Sequence, residues 1–503
     1  MCRGAGSFAK RMLRSGLKSR LYYKGFRSAE RGSGPDSELL CNEVLMPMNS
    51  PTNTPSSSCP ETPETEFAGF VGIDWADQEH AWALAVPGSE RREHGQLAQS
   101  PEAIEEWAAE LARRFAGRPV AVALEQARGA LLYALSKYPH LVLFPIHPSL
   151  SSRYRAAMYP SGAKDDPKDA DLLLELLWWH RARLRPLRPD TPLTRALQVL
   201  VERRRQLVDE KTAFTNRIID QLKQYFPQVL EWFDELDTPL VAAFLERWPT
   251  LPQLQTAKPE EILALLQGQN SRSPSRNRQR LDQIAKARPL TVDPAIVEPA
   301  VLVVETLLQV VRALRAGIRK LEEEIEKRFA QHPDAVIWES FPGAGQVFAP
   351  RLLAAFGSQR ERYASAGEVQ TYTGIAPVIS RSGKSVWVHF RWACPKFLRQ
   401  SFQEYAQSSL QFSAWARAFY DKQRDKGKGH HAAVRSLAFK WIRIMYRCWV
   451  DRVPYCEQRH AAAVAAGQKA APSTPSQLTQ VTNPEQYVWK NVAGFSKFSL
   501  AAS

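Results

Sequence analysis

Two short apolar runs in this chain each end in a carboxylate. Phe70-Val71-Gly72-Ile73 leads into Asp74, and Val120-Ala121-Val122-Ala123-Leu124 leads into Glu125. Length, apolar content and bounding residues predict a buried strand in each case. An acid at the end of a buried strand is costly unless it is paired or metal-bound. The chain must therefore build a sheet whose strand ends open on a polar site. A third acidic stretch, Ala163-Lys164-Asp165-Asp166-Pro167-Lys168-Asp169-Ala170, runs into the apolar segment 172–179. Pro167 suits the first turn of a helix, and Asp166 suits its N-cap. Asp166 and Asp169 are then three apart and share a face. Capping alone would account for carboxylates at a helix start. With Asp74 and Glu125 added, four acids from two strands and one helix start can converge on a divalent ion. Oxygen donors of this kind suit Mg²⁺ or Mn²⁺, not zinc.

The neighbouring elements predict an order for residues 67–188. Strands are expected at 70–74, 80–86 and near 92–97, then a helix at 101–115 and a strand at 120–125. A helix at 130–138, a strand at 141–146, a helix at 149–159 and the helix after Asp166 complete the set. Three antiparallel strands followed by alternating helix and strand is the ribonuclease-H-like order, an α/β fold. In that fold the ends of the first and fourth strands and the last helix meet in one pocket.

Charge narrows the partner. The 503 residues carry 67 Lys and Arg against 52 Asp and Glu, a formal net charge of +15. A basic excess of that size points towards a polyanion, most simply nucleic acid. Cys2, Cys41, Cys59, Cys394, Cys448 and Cys456 form no CxxC pair and have no companion His at zinc spacing. Reduced thiols in a cytoplasm are the default. No apolar run is expected to approach a membrane span. Residues 1–66 read as a tail, Arg- and Ser-rich at first and Pro-, Ser- and Thr-rich later, with Met46 or Met48 as alternative starts. Residues 458–503 read as a second loose tail.

Residues 189–335 are predicted to be helical. A 4,3 spacing links Leu193, Leu197, Leu200, Arg204, Leu207, Lys211, Phe214, Ile218, Gln221 and Tyr225, and a second links Val304, Leu307, Val311, Leu314, Ile318, Leu321 and Ile325. Such seams form either a helical hairpin within one chain or a coiled coil between subunits. Between them, 267–280 reads as a basic, Ser-rich loop suited to a phosphate backbone or to solvation.

A mainly α-helical unit is expected over 336–457. Phe341-Pro342-Gly343-Ala344-Gly345 precedes a helix, and a Gly-x-Gly turn there presents backbone N–H groups to a phosphate, as in a helix-hairpin-helix. Any tight turn also favours glycine. Ser380-Arg381-Ser382-Gly383-Lys384-Ser385 sets a serine beside glycine and between two cations. That serine is either a nucleophile or a plain loop residue. Arg391, Lys396 and Arg399 add basic groups, and Trp387, Phe390 and Trp392 interleave aromatics.

Taken in order, these motifs resemble the DEDD transposases of the "one-ten" insertion-sequence family. Gly72-Ile73-Asp74, Ala123-Leu124-Glu125 and Asp166-Pro167-Lys168-Asp169-Ala170 are similar to its D…E…DxxDA pattern. Phe341-Pro342-Gly343-Ala344-Gly345, Thr373-Gly374-Ile375-Ala376-Pro377 and Ser382-Gly383 are similar to its C-terminal motifs. The agreement runs across roughly 67–450. The resemblance implies a RuvC-like catalytic domain, a coiled-coil linker and a C-terminal transposase domain. It implies a recombinase that cuts and joins donor and target DNA, guided by a structured RNA, as a dimer or tetramer. It matches Asp74, Glu125, Asp166 and Asp169 to metal ligands, and Ser382 to a serine that bonds covalently to DNA. It leaves Gly343, Gly345, Arg381, Lys384, Arg391, Lys396 and Arg399 as nucleic-acid contacts, and a bacterial cytoplasm, with the nucleoid, as the location.

The family usually reads Lys-Arg-Gly-Asn after the serine, whereas this chain has Arg391-Trp392-Ala393-Cys394-Pro395-Lys396. Asp165 adjoins Asp166, and the DxxDA spacing selects Asp166. Three other readings exist. A RuvC-like junction nuclease would use the same acids and cut without joining. A sugar-kinase-like ATPase would share Val71-Gly72-Ile73-Asp74-Trp75 but would need a later Gly-rich adenosine loop. A non-enzymatic nucleic-acid scaffold would not need all four acids.

Overall fold

The computed structural model describes residues 67–125, 129–159, 166–269, 271, 273–383 and 385–462, with the side chains of Asp166 and Pro167 outside that set. The N-terminal tail, Asp165, Lys384 and most of the C-terminal tail therefore lie outside the described residues. The chain divides into two compact units. One comprises residues 200–327, and the other joins the sequence before it to the sequence after it.

The second unit begins with a five-stranded sheet. Strands β1 (Gly69–Asp74), β2 (Glu79–Ala85), β3 (Arg92–Ala98), β4 (Val120–Leu124) and β5 (Leu141–Pro145) lie in the order β3-β2-β1-β4-β5. β1 is antiparallel to β2 and β2 to β3, while β1–β4 and β4–β5 are parallel. That mixed order is consistent with the ribonuclease-H-like expectation. Side chains alternate across a strand, so each strand feeds two cores. Val71, Ile73, Val120, Val122 and Leu124 face α1 (Pro101–Arg114) and α2 (Ala130–Leu135). Phe70, Ala121 and Ala123 face α4 (Asp166–His180), through Ala170, Leu173, Leu174 and Leu177. Between β5 and α4 stands α3 (Pro148–Met158).

Gly72 sets how close α4 comes. A Cβ there would collide with the Ala170 carbonyl oxygen and the Leu174 backbone nitrogen. Both are backbone atoms, so no side chain can swing aside. Gly72→Ala is expected to lower stability by about 1–3 kcal/mol or more, because the helix must lift off the strand. Thermal unfolding of the pair checks this; an unchanged midpoint would contradict the packing described here.

The other unit is helical. It holds the parts of α5 (Pro192–Tyr225) and α11 (Pro294–Ala330) within 200–327, with α6 (Val229–Trp232), α7 (Pro239–Arg247), α8 (Leu251–Thr256), α9 (Pro259–Gly268) and α10 (Pro274–Lys286) between them. Arg204 pairs with Glu322, Gly317 meets Leu207, and Ile218 and Leu222 share a core with Val304 and Leu308. Partners late on one helix are early on the other, so the two seams pack antiparallel within one chain. The second half of the predicted basic loop belongs to helix α10, and Arg280 is buried in it. Its Nε donates to the Trp232 carbonyl (2.9 Å) and its guanidinium lies 4.7 Å over the Phe233 ring. Burial pulls Arg280 below its ordinary value, so this cation serves the core rather than a phosphate. Pro274 opens that helix, a start signal the composition of the loop obscured. The expectation that no apolar run approaches a membrane span also needs correction. By length and composition alone, α11 does. Glu298 and Glu305 interrupt its apolar half, and one of its faces packs into the helical core.

The chain then returns through α12 (Ala335–Glu339), α13 (Gly345–Phe356), α14 (Ala366–Tyr372), a hairpin of β6 (Val378–Ser382) and β7 (Ser385–His389), α15 (Lys396–Ser409), α16 (Ala414–Asp425) and α17 (His430–Asp451). Residues 457–462 form a helical turn whose His460 ring packs 4.6 Å from Trp415, so the C-terminal tail expected from 458 starts in contact with the core. Asp190 ties this part to the sheet-bearing part. It is 4% exposed and accepts hydrogen bonds from the Ser358 backbone N–H (2.7 Å), from Gln198 (2.9 Å) and from Arg362. Burial pushes the Asp190 carboxyl up, but Arg362 and the Ser358 N–H outweigh it and hold it below the usual carboxylate value. Arg185 adds a two-pronged pair to Glu368.

Candidate active site

Asp74 ends β1, and Glu125 follows the last residue of β4. The strands are parallel neighbours with Ile73 opposite Leu124, so the two acids emerge side by side at the same end of the sheet. Alternation puts both on the α4 face, Asp74 in step with Phe70 and Gly72, and Glu125 with Ala121 and Ala123. α4 starts at Asp166, and Gly72 lets its first turns lie directly on β1. Asp169, in that first turn, is 3% exposed. Three of the four expected acids thus gather at one end of one sheet face. Asp166 is placed by its backbone alone.

α3 closes over the acids with two residues one turn apart. Ser151 Oγ donates to Glu125 Oε1 (2.7 Å), and Arg155 Nη2 pairs with Asp169 Oδ1 (2.6 Å). Sequence reasoning missed both. Their i, i+4 spacing puts them on one face of a predicted helix, but nothing local names the distant residues they meet. Among the described residues, no group of three or more His, Cys, Asp or Glu side chains is arranged to hold a metal ion. The donors are hard oxygens of the right class, but Ser151 and Arg155 engage two of them.

The hairpin carries the second candidate centre. Ser382 is the last residue of β6, not a loop residue, and it faces Ser385 across a turn. Gly383 takes φ +54° in that turn, a conformation glycine adopts freely. Val378, Ser380 and Ser382 lie opposite His389, Trp387 and Ser385 and share one face. Arg381 lies on the other face and is exposed. Arg391 Nε donates to the Ala376 carbonyl (3.3 Å). Arg399 Nη1 donates to the Arg391 carbonyl (3.1 Å), and its guanidinium lies 4.5 Å over the Phe390 ring. Arg435 stacks on the same ring at 4.2 Å, and burial, with Arg399 nearby, pulls it down to about 10. Arg391 and Arg399 therefore brace the base of the hairpin. Lys396 opens α15.

Gly343 has a packing reason to be glycine. It takes φ +75°, and a Cβ would press on the Phe412 ring at 2.6 Å. Ser408 Oγ donates to its carbonyl (3.3 Å). Gly345 opens α13 with open space where a side chain would stand.

Two family matches fall on these two centres. Residues 71–227 match the DEDD transposase family of IS110. Residues 336–421 match the transposase family IS116/IS110/IS902. The chain belongs to this transposase family. Relatives of the transposase align along most of their length. The mini-circle protein of IS117 from Streptomyces coelicolor is 28% identical over 403 residues, which is 79% of this chain and 97% of the relative. The 43.6 kDa protein of insertion element IS110, from the same organism, is 27% identical over 408 residues, 80% and 98%. The 42 kDa protein of IS900 from Mycobacterium paratuberculosis is 26% identical over 390 residues, 77% and 96%. As an insertion-sequence transposase, the protein acts on DNA.

Proposed function

We propose that this transposase cuts and rejoins donor and target DNA with an acidic centre and a serine nucleophile, under the direction of a structured guide RNA. The observation that carries the reading is the pair Asp74 and Glu125, side by side at the ends of parallel strands beneath the start of α4. Asp74, Glu125, Asp166 and Asp169 would hold Mg²⁺ or Mn²⁺, which when bound polarises the scissile phosphate. Ser382 Oγ forms a bond to phosphorus as the deoxyribose oxygen leaves. The hydroxyl proton passes through solvent to the leaving oxygen. The phosphodiester energy is kept in the serine link, so rejoining needs no outside energy source. The reading includes a dimer or tetramer and a bacterial cytoplasm. Arg381, Lys384, Arg391, Lys396, Arg399, Gly343 and Gly345 would line the nucleic-acid path.

The direct experiment incubates the protein with labelled element-end DNA and Mg²⁺, then runs a denaturing gel and maps any adduct peptide. Label on the peptide carrying Ser382 supports the reading, and label on Ser380 or Ser385 moves the nucleophile. Metal-dependent nicking with no adduct hands the case to a junction nuclease. The guide is tested separately. RNA is expected to co-purify, with absorbance at 260 nm relative to 280 nm falling after ribonuclease, and DNA affinity is expected to drop steeply with salt. Recombination by an RNA-free preparation would remove the guide from the mechanism.

A further inference from the structure

Trp387 is 51% exposed on a hairpin that packs little against the rest of the protein. It lies opposite Ser380, and therefore diagonal to Ser382 on the same face. Diagonal neighbours on a strand pair stand about 7–8 Å apart, within reach of an aromatic side chain. The other residues on this face are Ser380, Ser382 and Ser385, which are small and polar, with Val378, half-buried, and His389 at the base of the hairpin. The exposed apolar residues Ile379 and Val386 lie on the opposite face. A folded protein partner would need a contiguous apolar patch, and on this face Trp387 is the one exposed large apolar side chain among the described residues. The charge setting favours a polyanion, since there is no Asp or Glu between Glu368 and Glu404. A lone indole among hydroxyls and cations fits a flat ligand with polar edges and an attached phosphate.

We propose that Trp387 is a stacking platform for a nucleobase adjoining the phosphodiester that Ser382 attacks. This deepens the reading of Ser382 as nucleophile and rests on it. Stacking on the indole holds the flanking base out of the duplex and fixes the sugar–phosphate between base and serine. Any base offers a π-face, so the contact sets position and not sequence. That is the task left to the protein when base pairing with a guide selects the site.

The test uses full-length Ser382→Ala protein, so that bound DNA stays uncut, and element-end DNA with 2-aminopurine placed in turn at each position around the joint. One position is expected to change its emission on binding. The change is expected to vanish in Trp387→Ala and survive in Trp387→Phe, with Trp387→Ala binding roughly tenfold or more weakly. Trp179→Ala, which removes an exposed tryptophan on α4, is expected to leave the signal unchanged. An emission change that persists in Trp387→Ala overturns the proposal. So does a Trp387→Ala protein that sediments differently without DNA, which would assign the indole to a second copy of the chain. A lowered unfolding midpoint in both Trp387 variants also overturns it, in favour of a structural role. Failure of the serine reading looks different: wild-type protein forms no adduct, while the fluorescence, recorded before cleavage, still depends on Trp387.

Discussion

Asp74→Ala and Glu125→Gln are each expected to cut strand exchange by roughly a thousandfold or more while leaving the protein folded. The two substitutions test different things. Asp74 stands at a strand end, and Ala there removes a carboxylate without filling space. Glu125→Gln keeps an oxygen to accept the Ser151 hydroxyl, so the seat of α3 is preserved while the charge is lost. Neighbouring carboxylates repel one another in the absence of metal, so Asp74→Ala is expected to unfold at the same temperature or slightly higher. Asp169 would be a poor choice for the same experiment. It is buried and paired with Arg155, and breaking a buried pair from one side costs about 3–5 kcal/mol. Lost activity in Asp169→Ala would therefore confound folding with chemistry. Strand exchange at wild-type rate by Asp74→Ala, with Mg²⁺ present, would remove the acidic centre from the mechanism.

Ser382→Ala is expected to bind DNA and RNA as the wild type does and to form no covalent adduct. Ser382 is exposed at the end of β6, so removing its hydroxyl leaves no buried partner unsatisfied and no cavity. Stability is expected to stay within about 0.5 kcal/mol. Ser380 and Ser385 are internal controls of the same chemistry on the same face of the hairpin. Alanine at either is expected to keep the adduct. Ser382→Cys is expected to retain a trace of it. An adduct that survives Ser382→Ala moves the nucleophile, and nicking that survives with no adduct in any variant makes the protein a nuclease that does not rejoin.

The sheet was legible in the sequence because its strands are apolar runs of the right length, and each predicted strand lies within a residue or two of the observed one. The acids were legible because a carboxylate at the end of such a run is expensive and so stands out. Three things were not. The contacts of Ser151 and Arg155 join α3 to residues distant in sequence, and no local pattern encodes them. The hairpin around Ser382 was not predicted, since Ser-Arg-Ser-Gly-Lys-Ser lacks the alternation of apolar and polar residues that marks a half-buried strand. The hairpin is almost wholly exposed, so there was no alternation to find. Arg280 looked like a surface cation because composition alone cannot show a guanidinium lying on a phenylalanine ring.

One helix face holds two of the acids at once. Ser151 and Arg155 sit a single turn apart on α3, one bonded to Glu125 and the other to Asp169. The two contacts therefore cannot be broken independently by moving the helix. A movement of α3 away from the sheet lengthens both contacts together. Helix α3 thus couples a strand-end acid to an acid on α4 through a single turn.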